Sequence, residues 1–282
     1  MCFLPFFTEK VMDKQNAENA CHDRYSPAAT KVEPALCCPV DYDAKWLKAI
    51  PQEVIDCDYG CGDPSKYVRE GETVLDLGSG AGKICFIASQ VVGKDGKIIG
   101  IDMNEEMLEV ANKFAPVVAE TIGYSNISFH RGNIVDMKNI VENDSIDVVV
   151  SNCVLNLVAN NDKPALFKEL YRVTIPGGRA VISDIVSNSD VPEEMQNDDY
   201  LWSGCISGAM KDDAFVQAFA DAGFEDISVV KHETDPWQTV NGIEFRSMTV
   251  VACKADAEGN ADMGPTPDAN DDGCCCSSDG CC

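Results

Sequence analysis

The sequence predicts an α/β protein built on a mostly parallel sheet with helices on both faces. Two observations carry this prediction. Strand-like and helix-like segments alternate from residue 71 to residue 254, and a glycine-rich turn divides the first strand from the first helix. Strands separated by helical segments of about 10–15 residues need crossover connections, which make neighbouring strands parallel.

The elements follow in order. Residues 73–77 are a short apolar run ending at glycines, and 84–92 carry a helical pattern after them. Residues 97–102 form a second strand; 105–114 form a helix that Asn104 can cap. Residues 127–131 and 146–151 are further strands, and 163–173 have helical periodicity that stops before Pro176-Gly177-Gly178. A strand at 179–184, a helix at 212–222 closed by Gly223, and strands at 227–231 and 247–253 complete the set. Residues 1–70 read as an irregular N-terminal segment packing near the site, with turn signals at Ser26-Pro27, Glu33-Pro34 and Asp63-Pro64 and a short helical pattern at 44–50. The apolar residues 1–7 read as a frayed end, because no cationic stretch accompanies them and Glu9 and Lys10 follow at once. Residues 255–273 hold no large apolar residue except Met263 and read as a disordered acidic linker. They lead to a tail in which Cys274, Cys275, Cys276, Cys281 and Cys282 crowd together. The expected organisation is therefore 1–70, a core domain at 71–254, and a linker with a cysteine-rich tail at 255–282.

Composition narrows the function. The 282 residues carry 22 Lys+Arg against 47 Asp+Glu, a net charge of −25 that excludes nucleic-acid or anionic-membrane binding through a general basic surface. The longest apolar runs are about ten residues, short of the ~20 needed to span a bilayer. We expect a cytoplasmic monomer acting on a small molecule. Fifteen cysteines without a secretory leader point to reduced thiols with a chemical use rather than a disulfide framework.

The turn reads Asp76-Leu77-Gly78-Ser79-Gly80-Ala81-Gly82. A dinucleotide fingerprint needs glycine at 83, where Lys83 stands, and a P-loop needs Ser or Thr at 84, where Ile84 stands. Instead Asp102 ends the second strand, placed to accept both ribose hydroxyls of a nucleoside. An NAD or FAD domain, or a fold without cofactor, is the weaker alternative. The arrangement resembles the seven-stranded Rossmann-like methyltransferases that use S-adenosylmethionine, over about residues 71–254. The resemblance implies a cofactor site of Asp76, Gly78, Ser79, Gly80 and Gly82, with Gly78 and Gly80 against the methionine part. It also implies that Asp102 and Met103 hold the ribose and Asn133 and Ile134 flank the adenine. The end of the fourth strand, with Asn152, would face the methyl group.

Three cysteines occupy unusual places. Cys153 follows the fourth strand in Ser151-Asn152-Cys153-Val154-Leu155-Asn156-Leu157. Cys205 lies among small residues in Trp202-Ser203-Gly204-Cys205-Ile206-Ser207-Gly208. Cys61 stands in Tyr59-Gly60-Cys61-Gly62, where the glycines are expected to expose the thiol. Together these motifs resemble those of the arsenite methyltransferases. The resemblance implies that Cys61, Cys153 and Cys205 bind arsenic(III), and that an upstream cysteine, Cys37 or Cys38, pairs with Cys61 in redox turnover. Arsenic(III) is a soft centre suited to thiolates. Held by three of them it keeps a nucleophilic lone pair, so no general base is needed. That agrees with His22, His130 and His232 all lying outside the cysteine motifs. Arsenite or its glutathione conjugate would be the substrate, with glutathione or a thioredoxin-type thiol as reductant, in a detoxifying reaction. A small organic acceptor, another metalloid, or a non-catalytic metal-binding protein on the same fold are the alternatives. Cys85 and Cys253 read as core fillers and Cys57 is open. Tyr59 and Trp202 are either an aromatic wall beside a sulfonium or ordinary core. The tail suits capture of a soft ion: arsenic, copper(I) or, less well, zinc.

Overall fold

Among the described residues (12–36, 40–57, 59–260 and 263–265) of the computed structural model, nine strands form one sheet. They are β1 (Thr73–Leu77), β2 (Lys97–Asp102), β3 (Ile127–Arg131), β4 (Ile146–Asn152), β5 (Thr174–Ser187), β6 (Met210–Lys211), β7 (Glu225–His232), β8 (Gln238–Val240) and β9 (Ile243–Cys253). The helices are α1 (Lys14–Ala28), α2 (Ala44–Leu47), α3 (Gln52–Asp56), α4 (Lys83–Val92), α5 (Glu105–Ile122), α6 (Lys163–Val173), α7 (Glu193–Gln196), α8 (Asp199–Ser203) and α9 (Asp212–Ala222). Seven strands, the number expected, follow the order β3-β2-β1-β4-β5-β9-β7, while short β6 and β8 add to β5 and β9. Only β9 runs against the other strands, pairing antiparallel with β5, β7 and β8. Chain order reverses at β1, which pairs in parallel with β2 on one side and β4 on the other. The crevice at that switch point, outside the carboxyl ends of β1 and β4, is where such sheets bind ligands.

The central strands read as continuous apolar runs because both of their faces are covered. Successive side chains point to opposite faces. Val74, Val148, Val150, Val181 and Val251 therefore pack with Phe86 and Ile87 of α4. Leu75, Leu77, Val149, Ile182 and Val250 pack on the other face with Leu166 and Phe167 of α6 and Phe219 of α9. A smaller apolar cluster at the carboxyl end of the sheet contains Cys61, Cys153 and Cys205 beside Ile185, Ile206 and Phe245.

Three expectations are corrected. The first 70 residues are not simply irregular, since α1 is a 15-residue helix with Asp13 accepting the Asn16 N–H at 2.9 Å. It buries only Ala17, Ala20, Cys21 and Ala28, too little apolar surface to leave a periodic signal. Helix α5 runs past Pro116 to Gly123, because Pro116 and Asn112 lie on its exposed side, where the carbonyl freed by proline can meet water. Part of the expected disordered linker is seated: Met263 packs against the first core, with Cys253 Sγ 3.2 Å from its sulfur.

Arg179 of β5 ties the N-terminal segment to the sheet. Its side chain is 2 % exposed and pairs with both Glu72 oxygens at 2.9 Å, and its Nε donates to Tyr67 O at 3.1 Å. Removing one partner of a buried pair leaves the other charge uncompensated. Glu72→Gln is expected to cost ~3 kcal/mol of stability, read as a lower denaturant midpoint at unchanged slope.

Candidate active site

The cleft at the switch point is lined by Asp76, Gly78, Ser79, Gly80, Asp102, Met103, Asn133, Ile134, Asn152 and Cys153. Gly82 does not line it; it caps α4, and a Cβ placed on it would lie 2.8 Å from Phe129 Cζ. The N–H groups of Gly78 and Ser79 are taken by Ile101 O at 2.8 and 3.0 Å, which folds the turn back over β2. Asp102 accepts from Gly80 N and Asn104 N, each at 2.8 Å, so its carboxylate organises the turn as well as facing the cleft. Burial raises the Asp102 carboxyl, against the opposing pull of those backbone donors. Two features mark room for a polar ligand. Ser79 Oγ is buried without a hydrogen-bond partner among the described residues, and a Cβ at Gly80 would meet nothing within 4 Å.

Sequence reasoning missed the other wall of this cleft. Helix α1 contributes Lys14, Ala17, Glu18, Cys21, His22 and Tyr25. Glu18 accepts from Asn133 Nδ2 at 3.0 Å, and Tyr25 meets Tyr59 edge to face with centroids 5.9 Å apart. Tyr59 thus stands in the cleft wall. Trp202 does not: it is fully buried beneath α1 with Met12, Ala17 and Cys21, and its Nε1 donates to Leu157 O at 3.1 Å.

The three singled-out cysteines converge, although they come from three separate loops. Cys61 precedes β1, Cys153 follows β4 and Cys205 follows α8. The Cys205 and Cys61 thiols beside Cys153, together with burial, push its thiol well above the ordinary range, and the sulfurs of Cys153 and Cys61 lie within 4.8 Å of each other. Burial also raises Cys61. Cys205 Sγ donates to Cys153 O at 3.2 Å. Cys153 and Cys205 have φ of 62° and 60°, a left-handed backbone that is strained for residues with a side chain and is concentrated at functional sites. Cys153 alone of the three lines the cleft, with Cys61 and Cys205 behind it.

Cys61 is buried, not exposed. Its flanking glycines serve close approach instead. A Cβ on Gly60 would lie 2.1 Å from Asn152 Nδ2, and one on Gly62 2.5 Å from Ser183 Oγ. Asn152 also uses its carboxamide on this loop, so it lines the cleft while holding Cys61. A further residue missed from the sequence is Asp184 of β5, fully buried, with a carboxylate oxygen and the sulfurs of Cys61 and Cys153 all within 4.8 Å of one another. Burial lifts its carboxyl to about 6. An acid inside the apolar run Val181-Ile182-Ser183-Asp184-Ile185-Val186 was the available signal. Cys37 and Cys38 lie outside the described residues, as does the cysteine-rich tail. Cys85 is buried in α4 as expected, and its Sγ donates to Asp76 Oδ2 at 3.2 Å. Cys57 Sγ donates to Ala29 O at 3.4 Å. No helix among the described residues is long and apolar enough to cross a membrane.

Comparison with known proteins identifies the family. The methyltransferase domain family matches residues 68–223. An arsenite methyltransferase of Aquipseudomonas alcaligenes is 35 % identical over 210 residues, covering 73 % of this chain and 60 % of the relative. One from Halobacterium salinarum is 40 % identical over 191 residues, covering 67 % and 46 %. This chain thus spans about half to three-fifths of the length of these curated relatives. Among solved structures, the arsenic(III) S-adenosylmethionine methyltransferase CrArsM of Chlamydomonas reinhardtii superposes with a TM-score of 0.71 at 32 % identity, covering 78 % of this chain and 76 % of that one. The chain belongs to the methyltransferase domain family and, within it, to the arsenite methyltransferases.

Proposed function

We propose that this protein transfers methyl groups from S-adenosylmethionine to arsenic(III) held by Cys61, Cys153 and Cys205. The observation that carries the reading is the convergence of these three thiols, from three loops, against the cleft at the switch point. When bound, S-adenosylmethionine supplies an electrophilic methyl on a sulfonium. The residues present fit it. Asp102 offers a carboxylate to a ribose, Asn133 and Ile134 a slot for a base, and Ser79 an unmatched hydroxyl; Gly80 leaves open space.

Arsenic(III) needs no thiolate standing ready. As each As–S bond forms, the thiol proton leaves with the displaced hydroxide as water, or with a displaced thiolate as free thiol. Thiols raised by burial are therefore compatible with capture. The three sulfurs complete a trigonal pyramid and leave the arsenic lone pair free. Placing that pair at the cleft wall through Cys153 is the work of the site, and orientation of this kind can contribute several kcal/mol, up to ~7–11 in favourable cases. Accepting a methyl group takes arsenic formally to the pentavalent state; a further thiolate attacking an arsenic-bound sulfur forms a disulfide, breaks that As–S bond and leaves its electron pair on arsenic, which returns to the trivalent state. An upstream cysteine, Cys37 or Cys38, pairing with Cys61, and glutathione or a thioredoxin-type thiol restoring it, would serve that step. Cys37→Ser with Cys38→Ser is expected to limit turnover to about one round per enzyme; undiminished multiple turnover would remove the pairing.

The test is incubation of the reduced protein with arsenite, glutathione and methyl-labelled S-adenosylmethionine, with arsenic species resolved by chromatography. Labelled methylarsenicals are expected; cofactor binding without them would turn the search to another acceptor. A milder variant probes the cofactor cleft. Gly80 has φ +51°, so Gly80→Ala costs ~1 kcal/mol of backbone strain and places a methyl group in the open space. We expect a small loss of thermal stability with at least a ~10-fold weaker S-adenosylmethionine affinity, separable by calorimetry.

A further inference from the structure

We infer that Asn152 and Asn156, the residues one before and three after Cys153, are positioning residues that set the spacing of the thiol triad, each fixing one of the two other cysteines relative to Cys153. The inference rests on the thiol-site reading above, but its geometry is independent of arsenic.

Asn152, at the end of β4, grips the Cys61 loop by its backbone. Its Oδ1 accepts from Cys61 N at 2.8 Å and Gly62 N at 3.0 Å, and its Nδ2 donates to Gly62 O at 2.7 Å and Tyr42 Oη at 3.2 Å. Both ends of one carboxamide are thus used on the chain that carries Cys61. The side of Gly60 facing it has no room for a Cβ.

Asn156 works on the opposite side. It is 1 % exposed, and its Nδ2 donates to Asp184 Oδ1 at 2.8 Å and Ile185 O at 2.6 Å, and reaches Cys205 O at 3.4 Å. Asp184 closes the arrangement, accepting from Leu155 N at 2.8 Å and Asn156 N at 3.3 Å through Oδ2. The Cys205 loop packs so closely that a Cβ on Gly208 would lie 1.9 Å from Asn156 O, and Lys163 Nζ donates to Gly208 O from the start of α6. Cys153 and Cys205 both hold left-handed backbone here, which persists only where surrounding contacts over-determine it. A side-chain amide suits both positions because it donates and accepts without bringing charge beside Asp184 or the thiols.

The proposal predicts a double dissociation. Dibromobimane, which becomes fluorescent when it bridges two nearby thiols, would be reacted with the reduced protein and the bridged peptides mapped by mass spectrometry. In Asn152→Ala the rate of bridging Cys61 to Cys153 is expected to fall about tenfold while bridging of Cys153 to Cys205 is kept; Asn156→Ala should show the reverse. In Asn156→Ala, which lies outside the cleft lining, S-adenosylmethionine affinity should hold within about twofold, and in turnover the arsenite KM should rise while the S-adenosylmethionine KM does not. Asn152→Ser and Asn156→Ser take the place of any alanine variant that fails to fold, as read by its circular dichroism. Equal loss of both bridges in either variant, or no change in either, overturns the positioning role. The predicted bridging pattern in a wild-type protein whose thiols arsenite does not protect from alkylation would uphold the positioning role and sink the arsenic reading alone.

Discussion

Cys153→Ser is expected to lose arsenite methylation by at least ~100-fold in kcat/KM while S-adenosylmethionine binds with unchanged affinity. Of the three thiols, Cys153 alone lines the cleft, and it shares one buried cluster with the other two. Serine keeps the volume and can adopt the same strained backbone, so the loop keeps its Cys153 N to Ser183 O bond of 2.8 Å. What changes is the donor: a hard hydroxyl replaces the soft thiolate that arsenic(III) prefers. Arsenic left on two sulfurs sits out of line with the methyl group, and a ~1 Å misplacement costs ~100-fold by itself. Arsenic-speciation chromatography after a fixed incubation, with calorimetry for the cofactor, reads both halves. Methylarsenicals formed at wild-type rates by the serine protein would place the acceptor elsewhere. Cys85→Ser, a substitution outside the triad, gives the comparison for a buried thiol that merely packs and donates to Asp76.

The sheet was legible because its central strands are buried on both faces, and runs such as Thr73–Leu77 and Lys97–Asp102 are bounded by turn residues. The glycine turn and the cysteine motifs were legible because each needs particular residue types in one short stretch. What stayed hidden arises between stretches. Helix α1 buries mainly alanines, so its place over the cleft follows from Arg24 donating to Tyr200 O at 2.8 Å and Ser26 to Glu106 Oε2 at 2.9 Å. Neither link has a local signature. The glycines beside Cys61 look locally like exposure, but in the fold they admit Asn152 and Ser183. Asp184 and Asn156 acquire meaning only when β5 brings them behind Cys153. The same holds for Trp202, whose burial under α1 could not be read from its own loop.

A separate substitution divides the cofactor half of the site from the thiol half. Asp102→Asn is expected to weaken S-adenosylmethionine binding by ~100-fold or more and leave arsenite capture intact. The carboxylate at 102 is acceptor-only, and each oxygen already takes a backbone N–H, from Gly80 and from Asn104. Lone pairs remain on both oxygens for the hydroxyls of a ribose. An amide turns one oxygen into an NH2 group facing a backbone donor, so the glycine turn loses a hydrogen bond and the ribose loses a charged acceptor. Hydrogen bonds to a charged group contribute ~1.5–3 kcal/mol each, and two such losses reach the factor stated. The thiols are anchored by Asn152, Ser183 and Asp184, not by Asp102, so arsenite should still protect Cys61, Cys153 and Cys205 from alkylation. Titration calorimetry with S-adenosylmethionine and thiol-protection mapping with arsenite are the paired measurements. Loss of both together would mean that the turn and the thiol loops form one cooperative unit; unchanged cofactor affinity would move the ribose away from Asp102.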